Sequence, residues 1–354
     1  MKLKKLTGVL LAGIMLGTVA LGGCGTINQN AVAATLNEDT QIPMGYANFV
    51  ARYEQSTYDS FFISYYGEGY WTNESYADSD GKSMEDSTKE NIMESIELEY
   101  LLESHMADYG VEITDEEQAA ITEAAEKFMS DNSKEAVKEM GATQEYVEKM
   151  LYYRTVSEKM SEAIKAEADT NVSDEEAAQR TFSYMEIDLK NYTDEDGNTQ
   201  EYTEEEQEDI KQTAKTAAAA AAENFDTASE TYSYDIKTYS YGSDEKSEEE
   251  GGFCDAVITA ANEMKEGDVS GLIEGTDCYY IIRLDSEFDR EATDTKKQSI
   301  ITDRQNEHYM EVTDGYVEEA KFEINEKEWK KVKFDNIFTA PAKTDEDTGA
   351  ASEE

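Results

Sequence analysis

The segment FCDAVITAANEMKEGDVSGLIEGTDCYYIIRL, residues 253–284, decides the fold of the central part of the chain. Apolar residues recur at helical spacing from Phe253 to Met264, which predicts a short helix. Gly267 suits the positive φ at which helices commonly end. After an extended run and a turn near Gly275, residues 279–284 are rich in β-branched and aromatic side chains, which predicts a strand.

The residues upstream extend this pattern. Residues 181–189 predict a strand, and a capping box at Thr203 opens a predicted helix that carries the alanine run 217–222. This order of elements, the Ala260-Ala261 pair, the run MKEGDVS at 264–270 and the final Tyr-Ile-Ile strand together resemble a parvulin domain. The resemblance covers about residues 176–288. It implies an FKBP-like α+β domain of the kind that catalyses peptidyl-prolyl isomerisation.

The N-terminal half, residues 35–175, is predicted to be helical after a short strand pair. Pro43 opens a first helix in which Tyr46, Phe49 and Val50 lie at i, i+3 and i+4, and four more helices follow by about residue 168. A long helix is predicted from residue 291, followed by an extended segment. This arrangement resembles SurA- and PrsA-type foldases, which implies that residues 289–340 pack on the N-terminal domain. The predicted fold class is therefore α+β.

The first residues predict export. Lys2, Lys4 and Lys5 precede an apolar stretch over residues 6–21, as in a secretory signal peptide of residues 1–23. The closing Leu-Gly-Gly-Cys resembles a bacterial lipobox, which implies a lipid on Cys24, a tether over residues 24–34 and anchorage at the extracytoplasmic face of a bacterial cell membrane. An ordinary signal peptide with an incidental cysteine and a short membrane helix are the alternatives.

The formal net charge of −49 argues against nucleic acid as a partner, because its phosphates would be repelled. It also argues against electrostatic adsorption to an anionic membrane. We predict a disordered acidic tail over residues 341–354. Cys254 and Cys278 flank the helix-to-strand unit. They either form a disulfide or remain two partly buried thiols. The sequence contains no phosphate-loop, zinc-protease or Cys/His metal motif, so no cofactor or metal is predicted.

Parvulins usually carry a histidine on the first strand and another on the last, with a Met or Leu and a Phe on the helix between them. In this sequence the histidine positions fall at Tyr184 and Tyr280, and the other two fall at Phe253 and Val257. His105 and His308 both lie outside the parvulin-like stretch. The two tyrosines are predicted either to hydrogen-bond across a pocket or to fill a degenerate site.

The resemblance implies a membrane-anchored foldase whose clients are unfolded or proline-containing secreted polypeptides. Because both family histidines are absent, the parvulin-like domain is expected to bind polypeptide with weak or no isomerase activity. The alternatives are an active isomerase with a tyrosine-containing pocket and a non-catalytic surface lipoprotein that acts as a scaffold. The sequence leaves the clients and the oligomeric state open.

Overall fold

The computed structural model describes residues 15–16, 27–193 and 197–339. The described part of the chain divides into two compact units: one contains the described residues up to Ala168 and from Glu307 onward, and the other contains those of Asp169–Asn306. We call them the helical unit and the sheet unit. The predicted lipidation at Cys24, most of the predicted signal peptide and the predicted acidic tail lie outside the described residues.

The predicted α+β fold class is confirmed. The helices in the described residues are α1 Met44–Tyr66, α2 Met84–Ser104, α3 Asp115–Asp131, α4 Lys134–Met140, α5 Gln144–Lys165, α6 Glu204–Glu223, α7 Phe225–Tyr232, α8 Asp255–Glu263, α9 Arg290–Glu319 and α10 Glu326–Trp329. The strands are β1 Met15–Leu16, β2 Val32–Leu36, β3 Thr40–Pro43, β4 Arg180–Asp188, β5 Asn191–Thr193, β6 Thr199–Glu201, β7 Ile236–Tyr241, β8 Ile273–Glu274, β9 Cys278–Ser286, β10 Phe322–Ile324 and β11 Phe338–Thr339. Residues 32–34 of the predicted tether therefore belong to β2.

Side-chain caps explain where several helices begin. Thr114 and Thr203 each form a complete capping box with the glutamate three residues later, at the starts of α3 and α6. Ser173 matches the same pattern, and its Oγ accepts the N–H of Glu176 at 3.1 Å. A turn forms there instead of a helix. Shortly after this turn the backbone N–H of Gln179 donates to Oγ1 of Thr293, near the start of α9, at 3.1 Å.

Buried aromatic side chains form the core of the helical unit. Phe49 on α1 meets Phe128 on α3 edge-on, with 6.2 Å between ring centroids, and Tyr46 contacts Tyr153 on α5 at 6.2 Å. Such ring pairs stabilise a core beyond the apolar area that they bury. Strands β2, β3 and β10 form an antiparallel sheet in the order β10-β2-β3, and its buried residues join this core.

Helix α1 binds the segment that follows α10 through polar side chains. We call residues 330–338 the C-terminal segment. Arg52 donates to the backbone carbonyl of Lys333 at 2.6 Å, and Gln55 donates to that of Asn336 at 2.6 Å. Both donors are buried. These bonds satisfy backbone carbonyls of an extended segment that would otherwise lose their water partners on burial.

Helix α2 binds the same segment from a second direction. Glu85 accepts the N–H of Phe334 at 3.1 Å, and Lys89 donates to the carbonyl of Val332 at 3.0 Å. Phe334 and Val332 are buried in the core of the helical unit, as is Trp329 at the end of α10. The C-terminal segment is therefore an integral part of this core.

Asp59 of α1 joins three parts of the helical unit. Its Oδ1 accepts from the hydroxyl of Tyr70 at 3.0 Å and from Nε1 of Trp71 at 2.8 Å. Its Oδ2 accepts from Nε2 of Gln55 at 3.0 Å and from the N–H of Phe338 at 2.9 Å. Burial raises the pKa of this carboxyl, and the four donors oppose that effect.

The aromatic loop after α1 has a structural role. Tyr70 is fully buried and Trp71 is 2% exposed, so both rings belong to the core of the helical unit. Exposed rings of this unit lie near the end of α1, where Phe61 is 61% and Tyr65 is 73% exposed. None of the helices in residues 27–193 and 197–339 is long and apolar enough to cross a bilayer.

Glu99 on α2 gives the helical unit a testable pH dependence. Burial raises the pKa of Glu99 to about 7, against the opposing effects of the Tyr46 hydroxyl and of Arg154 and Lys149. A carboxyl with a raised pKa in the folded chain contributes stability below its unfolded pKa. That contribution is lost as the pH rises through about 7, because the half-buried side chain must then carry a charge.

We expect the variant Glu99→Gln to be more stable than the wild type at pH 8, by about 1–3 kcal/mol, and equal to it at pH 4.5. Glutamine keeps an oxygen acceptor for the Tyr46 hydroxyl, which donates to Glu99 at 3.3 Å. Thermal unfolding at the two pH values measures the difference. Glu94→Gln, an exposed site on the same helix, is the control. A stabilisation of equal size at both pH values would contradict the assignment.

Candidate functional site

The sheet unit is built on a four-stranded antiparallel sheet with the order β7-β4-β9-β8. Helices α6 and α7 cover one face, where Met185, Tyr279 and Ile281 pack against the alanines of α6. The small alanine side chains let α6 approach the sheet closely. Helix α8 covers the opposite face. Strand β7 forms one edge of this sheet, and α7 follows α6 almost without a break.

The pairing of β4 with β9 determines which side chains share a face. Tyr184 lies opposite Ile282, and Glu186 lies opposite Tyr280. Because side chains alternate along a strand and directly paired residues project to the same side, Tyr184 and Tyr280 lie on one face. This is the face that α8 covers, so both predicted site residues point toward the helix.

Phe253 lies at the centre of the site, in the loop just before α8. Its ring centroid is 5.0 Å from that of Tyr184, 5.5 Å from that of Tyr280 and 4.5 Å from that of Tyr239. We call these four residues and Phe182 the aromatic cluster; Phe182 lies 5.4 Å from Phe253. The predicted helix start at Phe253 is two residues too early.

The structure brings all four predicted site positions together. Val257 on α8 is fully buried in the same core, and Tyr184, Phe253 and Tyr280 pack around it half-buried. The rings of Tyr184 and Tyr280 meet edge-on, 6.1 Å apart. Among the described residues no hydrogen bond joins their hydroxyls. The two tyrosines therefore contact each other through their rings.

Gly275 allows Tyr280 to take its place. A Cβ at this position would lie 2.8 Å from the Tyr280 ring and 3.1 Å from the Cys278 sulfur. Real Cβ atoms do not approach a ring so closely, so the turn before β9 requires glycine for this packing. Sequence reasoning used Gly275 as a turn residue and missed its contact with the site.

Two further residues support the cluster and were missed by sequence reasoning. Glu245 accepts from the Tyr239 hydroxyl at 2.8 Å and from the N–H of Phe253 at 3.0 Å, which fixes both rings. Arg180 donates to the carbonyls of Ala261 at 3.1 Å and Met264 at 2.8 Å, at the end of α8. A basic residue at a helix C-terminus is a known signal, but Arg180 lies 81 residues away from Ala261 in sequence.

Comparison with protein families identifies this unit. Residues 172–297 match the model of the family described as PPIC-type PPIASE domain. The chain carries a PPIC-type PPIASE domain. The predicted parvulin-type resemblance is thereby confirmed for this part of the chain. A search of curated proteins finds no match.

Several solved structures are similar to the chain at low sequence identity. They include the foldase protein PrsA from Streptococcus pneumoniae, with 17% identity, 64% of this chain and 83% of that chain covered, and a TM-score of 0.29. PrsA from Lactococcus lactis has 13% identity, coverage of 84% and 96%, and a TM-score of 0.34. A structure described with PEB4 and Cj1289, two SurA-like chaperones of Campylobacter jejuni, has 14% identity, coverage of 83% and 99%, and a TM-score of 0.29. The family assignment rests on the domain match alone.

Both histidines of the chain lie in the helical unit, outside the PPIC-type domain. His105 follows α2 and stacks on Tyr316 of α9, with 3.9 Å between ring centroids and 3° between planes. His308 lies on α9, with Nε2 3.9 Å from a carboxylate oxygen of Glu167. Neither imidazole therefore belongs to the aromatic cluster.

The two cysteines of the PPIC-type domain are free, buried thiols. Burial raises the pKa of the Cys278 thiol, which keeps it protonated and a poor nucleophile at neutral pH. In residues 27–193 and 197–339, no three His, Cys, Asp or Glu side chains are arranged to hold a metal ion. The chemistry available at the cluster is therefore that of aromatic rings and phenolic hydroxyls.

Proposed function

We propose that the protein is an extracytoplasmic, membrane-anchored foldase that assists secreted polypeptides, and that its PPIC-type domain binds polypeptide with weak or no isomerase activity. One observation carries this proposal. The domain matches the PPIC-type family. The resemblance places the family's histidine positions at Tyr184 and Tyr280, and in the structure both of these rings pack against Phe253.

The chemistry of the cluster supports binding over catalysis. Rotation about an X-Pro bond has a barrier of about 20 kcal/mol, and lowering it requires polar groups placed to favour the twisted amide. Burial raises the pKa of Tyr280 above its ordinary value, so this residue stays a neutral phenol. The Lys237 ammonium lies 5.9 Å from the centre of the Tyr184 ring. The aromatic rings suit stacking against proline or other apolar side chains.

The helical unit offers a separate surface for clients. Phe61, Tyr65 and Tyr66 expose 61%, 73% and 42% of their surface at the end of α1. Exposed aromatic groups in one place are a common feature of protein-binding surfaces. The net charge of −49 keeps such a protein soluble and favours basic clients. The lipobox-like end of the leader supports anchorage through a lipid on Cys24.

An active isomerase with a tyrosine-containing pocket is the second candidate. It is favoured by the position of Tyr184 and Tyr280 on one face of the sheet, both half-buried and both in contact with Phe253. A scaffold without catalysis is the third candidate.

We expect the purified chain to leave proline-peptide isomerisation near its uncatalysed time constant of about 10–100 s, while suppressing the aggregation of an unfolded model protein at stoichiometric amounts. A coupled isomerase assay and a light-scattering assay measure the two activities. Strong turnover that falls in the variant Tyr280→Ala would favour the active isomerase. Turnover unchanged by that variant would contradict the assignment of the pocket, and no suppression of aggregation would contradict the chaperone role.

A further inference from the structure

A second candidate site lies in the helical unit, far along the sequence from the aromatic cluster. A cavity of about 470 Å³ opens between α2, α3 and α5. Its walls include the rings of Tyr100, Tyr152 and Tyr153. Tyr100 and Tyr153 are 4.8 Å apart and tilted by 32°, and Tyr152 meets Tyr153 edge-on at 5.6 Å. These rings give the cavity an aromatic wall.

The cavity wall already holds a cation of the chain itself. The Lys149 ammonium lies 4.9 Å from the ring centre of Tyr100, 5.1 Å from that of Tyr46 and 5.7 Å from that of Tyr153. Among the described residues Lys149 has no carboxylate within 4.0 Å, although the chain is strongly acidic. Three ring faces around one ammonium form the cage that proteins use to bind organic cations.

The charged side chains that line the cavity favour a positively charged ligand. Glu103, Glu145 and Glu148 line the cavity together with Lys149, so carboxylates outnumber cations by three to one.

The position of Lys149 allows an exchange. Glu145 lies four residues before Lys149 on α5 and is exposed. Residues four apart on a helix are neighbours, and a glutamate placed N-terminal to a lysine forms a favourable pair. Lys149 can therefore leave the rings and pair with Glu145 when another cation enters, with little change in the number of favourable contacts.

We propose that this cavity is a binding site for an alkylammonium group, with Lys149 as the internal ligand that the incoming cation displaces. The ammonium can come from a lysine side chain of an unfolded polypeptide or from a free polyamine. The first source would connect the site to the proposed foldase role, but the site itself does not depend on that role.

The test uses the full chain and capped lysine, Nα-acetyl-lysine-N-methylamide, as the probe. We expect the variant Lys149→Ala to bind the probe about tenfold more tightly than the wild type in ligand-observed NMR titrations, because the competitor is gone. Capped norleucine, which has the same four side-chain carbons but lacks the ammonium group, is expected not to bind. Lys127→Ala removes the same charge from an exposed site on α3 and is expected to bind like the wild type.

A second measurement follows Lys149 in the wild-type chain itself. We expect the ring currents of the three tyrosines to shift the ε-methylene resonance of Lys149, and this shift to disappear as the probe binds. Lys149→Gln serves only to assign the resonance. An unchanged Lys149 resonance at saturating probe, equal affinities of wild type and a folded Lys149→Ala, or equal binding of norleucine would each overturn the proposal.

Two further titrations distinguish the sources of the ammonium. An unstructured lysine-containing peptide that binds more tightly than 1,4-diaminobutane indicates a polypeptide ligand, and the opposite order indicates a free polyamine. Either order supports an alkylammonium site, and failure of both ligands to shift Lys149 overturns it. If the chain binds the probe but does not suppress aggregation, the foldase role is contradicted and the proposed ammonium site stands.

Discussion

Replacing Asp59 by alanine is expected to lower the free energy of unfolding of the helical unit by about 3–5 kcal/mol. The substitution leaves four buried donors without their acceptor, among them the Tyr70 hydroxyl and Nε1 of Trp71. Another of the four is the N–H of Phe338 at the end of the C-terminal segment. Each buried donor without a partner costs about 1–3 kcal/mol, and partial relaxation reduces the sum.

Tryptophan fluorescence during denaturant unfolding reports this effect selectively. The chain has two tryptophans, and Trp71 and Trp329 both lie in the helical unit. Asp335→Ala is a matched control, because it removes a carboxylate from an exposed position in the C-terminal segment. We expect the control to differ from the wild type by less than about 0.5 kcal/mol. Equal midpoints for Asp59→Ala and the wild type would show that the four hydrogen bonds do not stabilise the unit.

Replacing Phe253 by alanine is expected to destabilise the PPIC-type domain by about 2–4 kcal/mol and to abolish polypeptide binding at the aromatic cluster. The ring of Phe253 contacts four other rings at 4.5–5.5 Å between centroids, so its removal leaves a cavity where the cluster meets. Hydrogen exchange of amides in β4 and β9 measures the local loss of stability.

Phe288→Ala provides the matched control for this variant. Phe288 lies in the same unit, is 41% exposed and contacts only the Arg290 guanidinium among the ring and cation contacts of the described residues, at 4.7 Å. We expect little change in exchange or binding for this variant. If Phe253→Ala bound polypeptide as well as the wild type does, the aromatic cluster would not be the binding surface.

Much of the fold follows from local signals in the sequence. The starts of α3 and α6 were predictable because Thr114 and Thr203 satisfy backbone donors within one helical turn. The site positions were predictable in a different way, because the resemblance to the parvulin family places its pocket positions at Tyr184, Phe253, Val257 and Tyr280. The first signal depends on neighbours in sequence, and the second depends on the similarity to a known family.

The features that sequence reasoning missed depend on residues far apart in the chain. Nothing near Asp59 indicates that its carboxylate accepts the N–H of Phe338, 279 residues later. The cage around Lys149 also depends on residues far apart in the sequence, since Tyr46 and Tyr100 come from two other helices. Helix α7 was missed for a different reason: it begins two residues after α6 ends, and the break at Asn224 is short.

The participation of the C-terminal segment in the core of the helical unit has a consequence for biosynthesis. Residues 169–306 are contiguous, so the PPIC-type domain has its whole sequence as soon as residue 306 has been synthesised. The first helices must wait for Trp329, Val332 and Phe334 before their interior is closed. Domains generally fold as units when their sequence is complete. We therefore expect the sheet unit to complete its folding before the helical unit, although the helical unit begins earlier in the chain.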